Sequence, residues 1–155
     1  FSGVWLSTDA FDQTTLMVMR PYDARTYLIR TLKFHGEAPD IDADTRSDWK
    51  AWLTPIGDST FLTMEPLRFL PSAGTGDRPA YFVARIDLVD GKLHLHLLIG
   101  TSGLAGKATD RAELEAAIAE NVDAPSLYIG DVIVFAKEKD ERLIQGVLEA
   151  FHSND

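Results

Sequence analysis

The chain reads as a mainly β protein: an antiparallel up-and-down meander of about eight strands closing into a barrel, with one helix before and one after the last strand. Three observations predict this. Runs of β-favouring residues follow one another at short spacing, each pair joined by a turn signal. The stretch Tyr81 to Ile99 (YFVARIDLV-DG-KLHLHLLI) alternates apolar and polar residues on both sides of Asp90-Gly91, a pair suited to a two-residue turn with positive φ at both positions. The strand–helix–strand alternation of a parallel sheet is absent, and a meander with one apolar face removes its exposed edges by closing on itself.

Taken in order, Gly3 to Ser7 is a first strand, closed by the polar stretch Thr8 to Gln13. Thr14 to Arg20 and Thr26 to Phe34 form a hairpin around Pro21-Tyr22-Asp23-Ala24, with Pro placed for the first corner. Gly36 to Ser47 is a polar loop. Asp48 to Pro55 and Thr60 to Glu65 form the next hairpin around residues 56–59, which sets Pro55 against Thr60, Leu53 against Leu62 and Ala51 against Met64. Pro66 ends that strand by removing a ladder donor, and Pro71 to Pro79 has linker composition.

The Asp90-Gly91 hairpin is predicted residue by residue. Val89 faces Lys92, Leu88 faces Leu93, Asp87 faces His94, Ile86 faces Leu95, Arg85 faces His96, Ala84 faces Leu97 and Phe82 faces Ile99. Phe82, Ala84, Ile86, Leu88, Leu93, Leu95, Leu97 and Ile99 then share one face, which is expected to be buried. A helix follows from about Asp110 to Asn121, with Asp110 and Glu113 in a capping-box pattern and Leu114, Ala117 and Ile118 as its apolar stripe. Gly130 to Lys137 is the last strand. A second helix runs from about Lys139 to His152, its stripe of Leu143, Ile144, Val147, Leu148 and Phe151 suited to a sheet face or a barrel end.

The 155 residues are expected to form a single domain, 1–155, long enough to bury a sizeable core. With no cysteine there are no disulfides, thiolate metal sites or cysteine nucleophiles. A net charge of −9 disfavours nucleic acid and anionic membranes, which need clustered Lys or Arg, and suits a basic protein partner. No run approaches the roughly 18 apolar residues of a membrane span. The chain begins at Phe1 without an initiator Met. From this we expect a periplasmic or secreted protein that has lost a leader, with a lipid anchor upstream of Phe1 as one form of it and a cytoplasmic chain as the alternative.

Gly3-Val4-Trp5 on the first strand, the eight-strand meander and the terminal helix resemble the lipocalins and the broader calycin barrels, in particular the lipocalin-like domains of small bacterial exported proteins. The resemblance implies that Trp5 closes the barrel floor beneath a ligand cavity. It also implies an arginine packed on that tryptophan from the end of the last strand, where this chain has Lys137. The family's Thr-Asp-x motif is missing, and the helix at 110–121 is additional.

No motif identifies a reaction. Gly106-Lys107 fails as a P-loop, with Thr101 and Ala108 at required positions, and Ser102 lacks the second glycine of a nucleophile elbow. The expected role is therefore non-enzymatic binding of a small apolar ligand, with Trp5, Trp49, Trp52, Tyr27 and Phe82 as barrel lining. The alternative is an acidic interaction subunit or inhibitor that binds a basic protein. Arg85, Asp87, His94 and His96 share the polar face of the hairpin and are expected as an interaction surface. No cofactor is expected, but Asp40, Asp42, Asp44 and Asp48 alternate as carboxylates do in a weak Ca²⁺ site, although Thr45 and Ala51 stand where an EF-hand needs Gly and Glu. A solvated acidic loop reads the same way.

Overall fold

In a computed structural model, which describes residues 1–35, 46–67, 81–98 and 110–152, the strands form one closed barrel in simple sequence order. They are β1 (Gly3–Thr8), β2 (Gln13–Pro21), β3 (Thr26–His35), β4 (Arg46–Ile56), β5 (Ser59–Pro66), β6 (Phe82–Val89), β7 (Lys92–Leu97) and β8 (Ile133–Lys137). Helix α1 (Arg111–Asn121) and a 3-10 turn (Pro125–Leu127) lie between β7 and β8, and α2 (Glu141–His152) follows β8. The architecture is the expected one.

The hairpin registers also agree. Asp87 faces His94, Arg85 faces His96 and Ala84 faces Leu97 across β6 and β7, while Leu53 faces Leu62 and Ala51 faces Met64 across β4 and β5. Asp90 and Gly91 have φ of 51° and 74°, the positive values that a two-residue turn of this hand needs. Closure depends on a short seam: β1 pairs with β8 at Trp5↔Lys137 and Leu6↔Ala136, extended by a 2.8 Å bond from Glu138 N–H to the Val4 carbonyl.

Three apolar layers follow from strand alternation. The inward set, which includes Trp5, Met17, Met19, Ile29, Ala51, Leu62, Ala84, Ile86, Leu93, Leu95 and Phe135, fills the barrel. The outward residues Val4, Leu16, Val18 and Leu32 of β1–β3 are covered by Leu143, Ile144, Val147 and Leu148 of α2. The outward Phe61 and Val83 are covered by Leu114 and Ile118 of α1, with Val122 and Leu127 behind it. The α2 stripe therefore packs on the outer wall rather than closing an end of the barrel. Each fully buried Leu, Ile or Phe contributes about 1.5–3 kcal/mol, so both outer layers help to hold the barrel shut.

Four expectations change in detail. Phe82 and Leu88 face inward but remain 45% and 59% exposed, because both stand at strand ends, beyond the buried layers of the barrel cluster; Ile99 lies outside the described residues. The last strand begins at Ile133, not Gly130, since Gly130 has φ +66° and turns the chain before pairing starts. Helix α1 starts at Arg111 with Asp110 as its cap, the carboxylate accepting from Glu113 N–H at 2.9 Å. Helix α2 starts at Glu141, with the Asp140 carboxylate accepting from Arg142 and Leu143 N–H. No helix among the described residues is long and apolar enough to cross a membrane.

Candidate functional site

The up-and-down order places the 21–26, 56–59 and 89–92 connections, the start of β1 and the end of β8 at one end of the barrel, the lower end. The β1–β2, β3–β4, β5–β6 and β7–β8 connections leave from the other, upper end. The two ends differ in their chemistry.

At the lower end Trp5 is buried, and its indole N–H donates to the Phe1 carbonyl at 2.9 Å. Lys137 Nζ lies 5.6 Å from the Trp5 ring centre, a cation over an aromatic face. Gly3 stands beside this pair with φ +138°, and a Cβ there would come within 3.0 Å of Lys137 Cε. The position that the resemblance assigns to arginine is thus filled by Lys137, in contact with the tryptophan.

At the upper end one arc of the inward-facing residues, from Trp49 on β4 round to β8, is apolar and partly buried, whereas Ser7, Thr15, Thr31, Lys33 and Ser47 give the β1–β4 side of the same end a polar lining. Trp49, Met64, Leu97 and Ile133 are partly buried and pack against the barrel cluster, and Phe82 stands with them. Met64 and Phe82 are direct cross-strand partners. The Trp49 and Phe82 rings meet edge to face at 5.3 Å and 89°, an arrangement the ring quadrupoles favour. The Trp49 indole N–H donates to Thr31 Oγ1 at 3.3 Å, so the tryptophan offers its carbon surface to whatever approaches.

Of the five aromatics expected as lining, Trp5, Tyr27 and Trp49 belong to the inner cluster, but Trp5 and Tyr27 lie towards the lower end, and only Trp49 meets Phe82 at the upper rim. Trp52 does not. It is an odd number of residues from Trp49, so strand alternation turns it to the outer wall, where it meets Tyr81 at 6.3 Å.

The polar residues of the hairpin come together on the outer wall. Arg85 Nε donates to Asp87 at 3.1 Å, and His96 Nε2 lies 3.3 Å from the same carboxylate oxygen. His94 faces Asp87 across the register and Val134 on the other side. Three further participants come from the segment after α1. Arg85 Nη1 donates to the Val122 carbonyl at 3.1 Å and its guanidinium lies 5.3 Å from the Tyr128 ring centre. Tyr128 Oη donates to the same Val122 carbonyl at 2.6 Å, its ring is 5.5 Å from that of His96, and Asp123 approaches Arg85 at 3.6 Å. Burial, then the neighbouring Arg85, hold the His96 imidazole below its ordinary range against the pull of Asp87. Burial likewise raises the Tyr128 phenol. Sequence reasoning missed Val122, Asp123 and Tyr128, which are tens of residues from β6 in the chain and carry no local signal of the contact.

Of the four carboxylates read as a weak cation site, Asp40, Asp42 and Asp44 lie outside the described residues. Asp48 is on β4, where Arg30 forms an ion pair with it and Arg46 approaches at 3.0 Å. Burial raises its carboxyl, but the hydrogen bonds from Arg30 and Arg46 outweigh this and leave it below the usual carboxylate range. A carboxylate held by two guanidiniums is a poor calcium ligand. Among the described residues no group of three or more His, Cys, Asp or Glu could hold a metal ion.

No protein-family model, curated protein or solved structure matches this chain. The likeness to the calycin barrels is one of architecture: a closed eight-stranded antiparallel meander with a helix packed after its last strand.

Proposed function

We propose that this protein is a non-enzymatic, lipocalin-like binding protein that takes a small apolar ligand at the upper end of its barrel. The observation that carries this reading is the rim of Trp49, Met64, Phe82, Leu97 and Ile133: inward-facing, apolar and half-exposed, above an interior whose buried residues are all hydrophobic. A ligand covering about 200 Å² of apolar surface gains about 5 kcal/mol, a dissociation constant on the order of 0.1–1 mM. Rings at the rim favour a planar or aliphatic body over a charged one, since no charged residue is buried among the described residues.

The test is titration of the purified protein with an environment-sensitive anilinonaphthalene dye, together with native mass spectrometry and organic extraction of the same sample. One saturable site per chain, weakened by Phe82→Ala and reported by a change in Trp49 emission that disappears in Trp49→Phe, supports the reading. Absence of both a saturable site and a co-purifying small molecule overturns it. The net charge of −9 supports a second reading, binding of a basic protein. That reading predicts a stoichiometric protein partner released at high salt and no occupant of the barrel.

A further inference from the structure

We propose that Arg85, Asp87, His96 and Tyr128 form a proton-sensitive latch that holds α1 and the turn after it, residues 110–128, against the barrel wall, and that acid loosens it. The argument starts with the path of the chain. The connection departs after Leu98 and returns at Tyr128, and its two feet are tied together. Leu98 bridges Tyr128, Leu98 N–H donates to the Val83 carbonyl at 2.9 Å, and Ile129 N–H donates to the Leu97 carbonyl at 2.8 Å. Between the feet, α1 lies on the wall through Leu114 and Ile118, and the 3-10 turn adds Leu127.

The polar tie is made at the C-terminal end of α1. Val122 is the C-cap of the helix, and its carbonyl accepts from both Arg85 and Tyr128. A helix C-terminus favours a cation, yet α1 has no basic residue in its last turn. Arg85 on β6 supplies that charge from across the wall. The arginine is steered there by Asp87, and Asp87 is in turn shared with His96.

With His96 neutral, the latch has one cation and one carboxylate. A proton on His96 places a second cation beside Arg85 and makes both compete for Asp87. The remaining charges do not relieve this. Asp123 is 94% exposed and screened by water, His94 on the same strand adds to the repulsion, and Ile133 and Val134 of β8 bring no charge. The sign is consistent with the depressed His96 imidazole. A released histidine takes its proton near the ordinary value of 6.5, whereas the latched one resists it. The latch is therefore complete above that value and weakens as pH falls through the lower, latched one.

The experiment is amide hydrogen exchange of residues 110–128 in the full chain between about pH 7.5 and about pH 5, corrected for intrinsic exchange, in the wild type, His96→Gln and His94→Gln. We expect a several-fold loss of protection in acid in the wild type and in His94→Gln, no such loss in His96→Gln, and unchanged protection of β1–β3 in all three. Equal protection at both pH values in the wild type, or the same acid loss in His96→Gln, overturns the proposal. Because His96→Gln can itself perturb the wall, a second measurement uses the wild type alone: NMR titration of the His96 ring alongside the α1 amides. A shared midpoint below the ordinary histidine value supports the latch, and separate midpoints, or a raised one, overturn it.

Discussion

Lys137 Nζ sits 5.6 Å from the centre of the Trp5 ring, across the two-pair seam where β8 meets β1 and the barrel closes. The same tryptophan donates to the Phe1 carbonyl, so one indole joins the N-terminus, the first strand and the last. Gly3 beside it invites a double-mutant cycle. Its missing Cβ would meet Lys137 Cε, the mobile end of a long side chain, which can give way; its φ of +138° cannot. We expect Gly3→Ala to cost about 1–2 kcal/mol in urea denaturation, from the backbone. Lys137→Ala should cost about 0.5–1 kcal/mol, and the double mutant should show nearly the sum. Recovery of the Gly3→Ala loss in the Lys137→Ala background would instead put the strain in the side-chain contact.

The Asp90-Gly91 turn tests the backbone alone. Nothing lies within 4 Å of a Cβ built on Gly91, while φ there is +74°. Gly91→Ala is expected to lose about 1 kcal/mol with the β6–β7 register unchanged, read by chemical denaturation and by cross-strand NOEs between Asp87 and His94. A loss above about 3 kcal/mol would mean that the hairpin does more than turn.

Asp48 makes part of the stability depend on acid. Its carboxyl is held below the ordinary value of 3.8 by Arg30 and Arg46, despite the opposing effect of burial. A depressed carboxylate contributes stability above the unfolded value and loses it as pH falls through the folded one. Asp48→Asn should therefore cost about 1 kcal/mol near neutral pH, the discounted worth of a partly buried charged hydrogen bond. The difference from wild type should shrink below about pH 4. A gap that persists at low pH would assign the loss to packing.

The two histidines of the hairpin separate into different roles. His96 touches Asp87 and the Tyr128 ring, whereas His94 lies between Asp87 and Val134 in the register. His94→Ser should stay within about 0.5 kcal/mol of wild type, and His96→Ser should lose about 1 kcal/mol, both by thermal and urea unfolding. Equal losses would remove the distinction.

Much of the wall was legible because strands obey a period of two and turns have few solutions. Asp90-Gly91 set the register of β6 on β7, and the spacing around residues 56–59 set that of β4 on β5. The same periodicity, applied strictly, separates Trp49 from Trp52; grouping the aromatics by type had put both in the lumen. The rim at Trp49 and Phe82 was half legible, since alternation makes Phe82 an inward residue but is silent about where the barrel ends.

By itself, then, the sequence determined the meander, its pairing and the faces of its strands, because hydrogen-bond geometry between chain neighbours is local. Tertiary structure alone decided how the ends of the barrel differ and what the outer wall meets. Lys137 reaches Trp5 only because the barrel closes, and Arg85 reaches the Val122 carbonyl only because α1 packs on the outer wall. No periodicity records such a contact: its partners are chosen by the way the sheet curls and by where each helix finds apolar surface to cover.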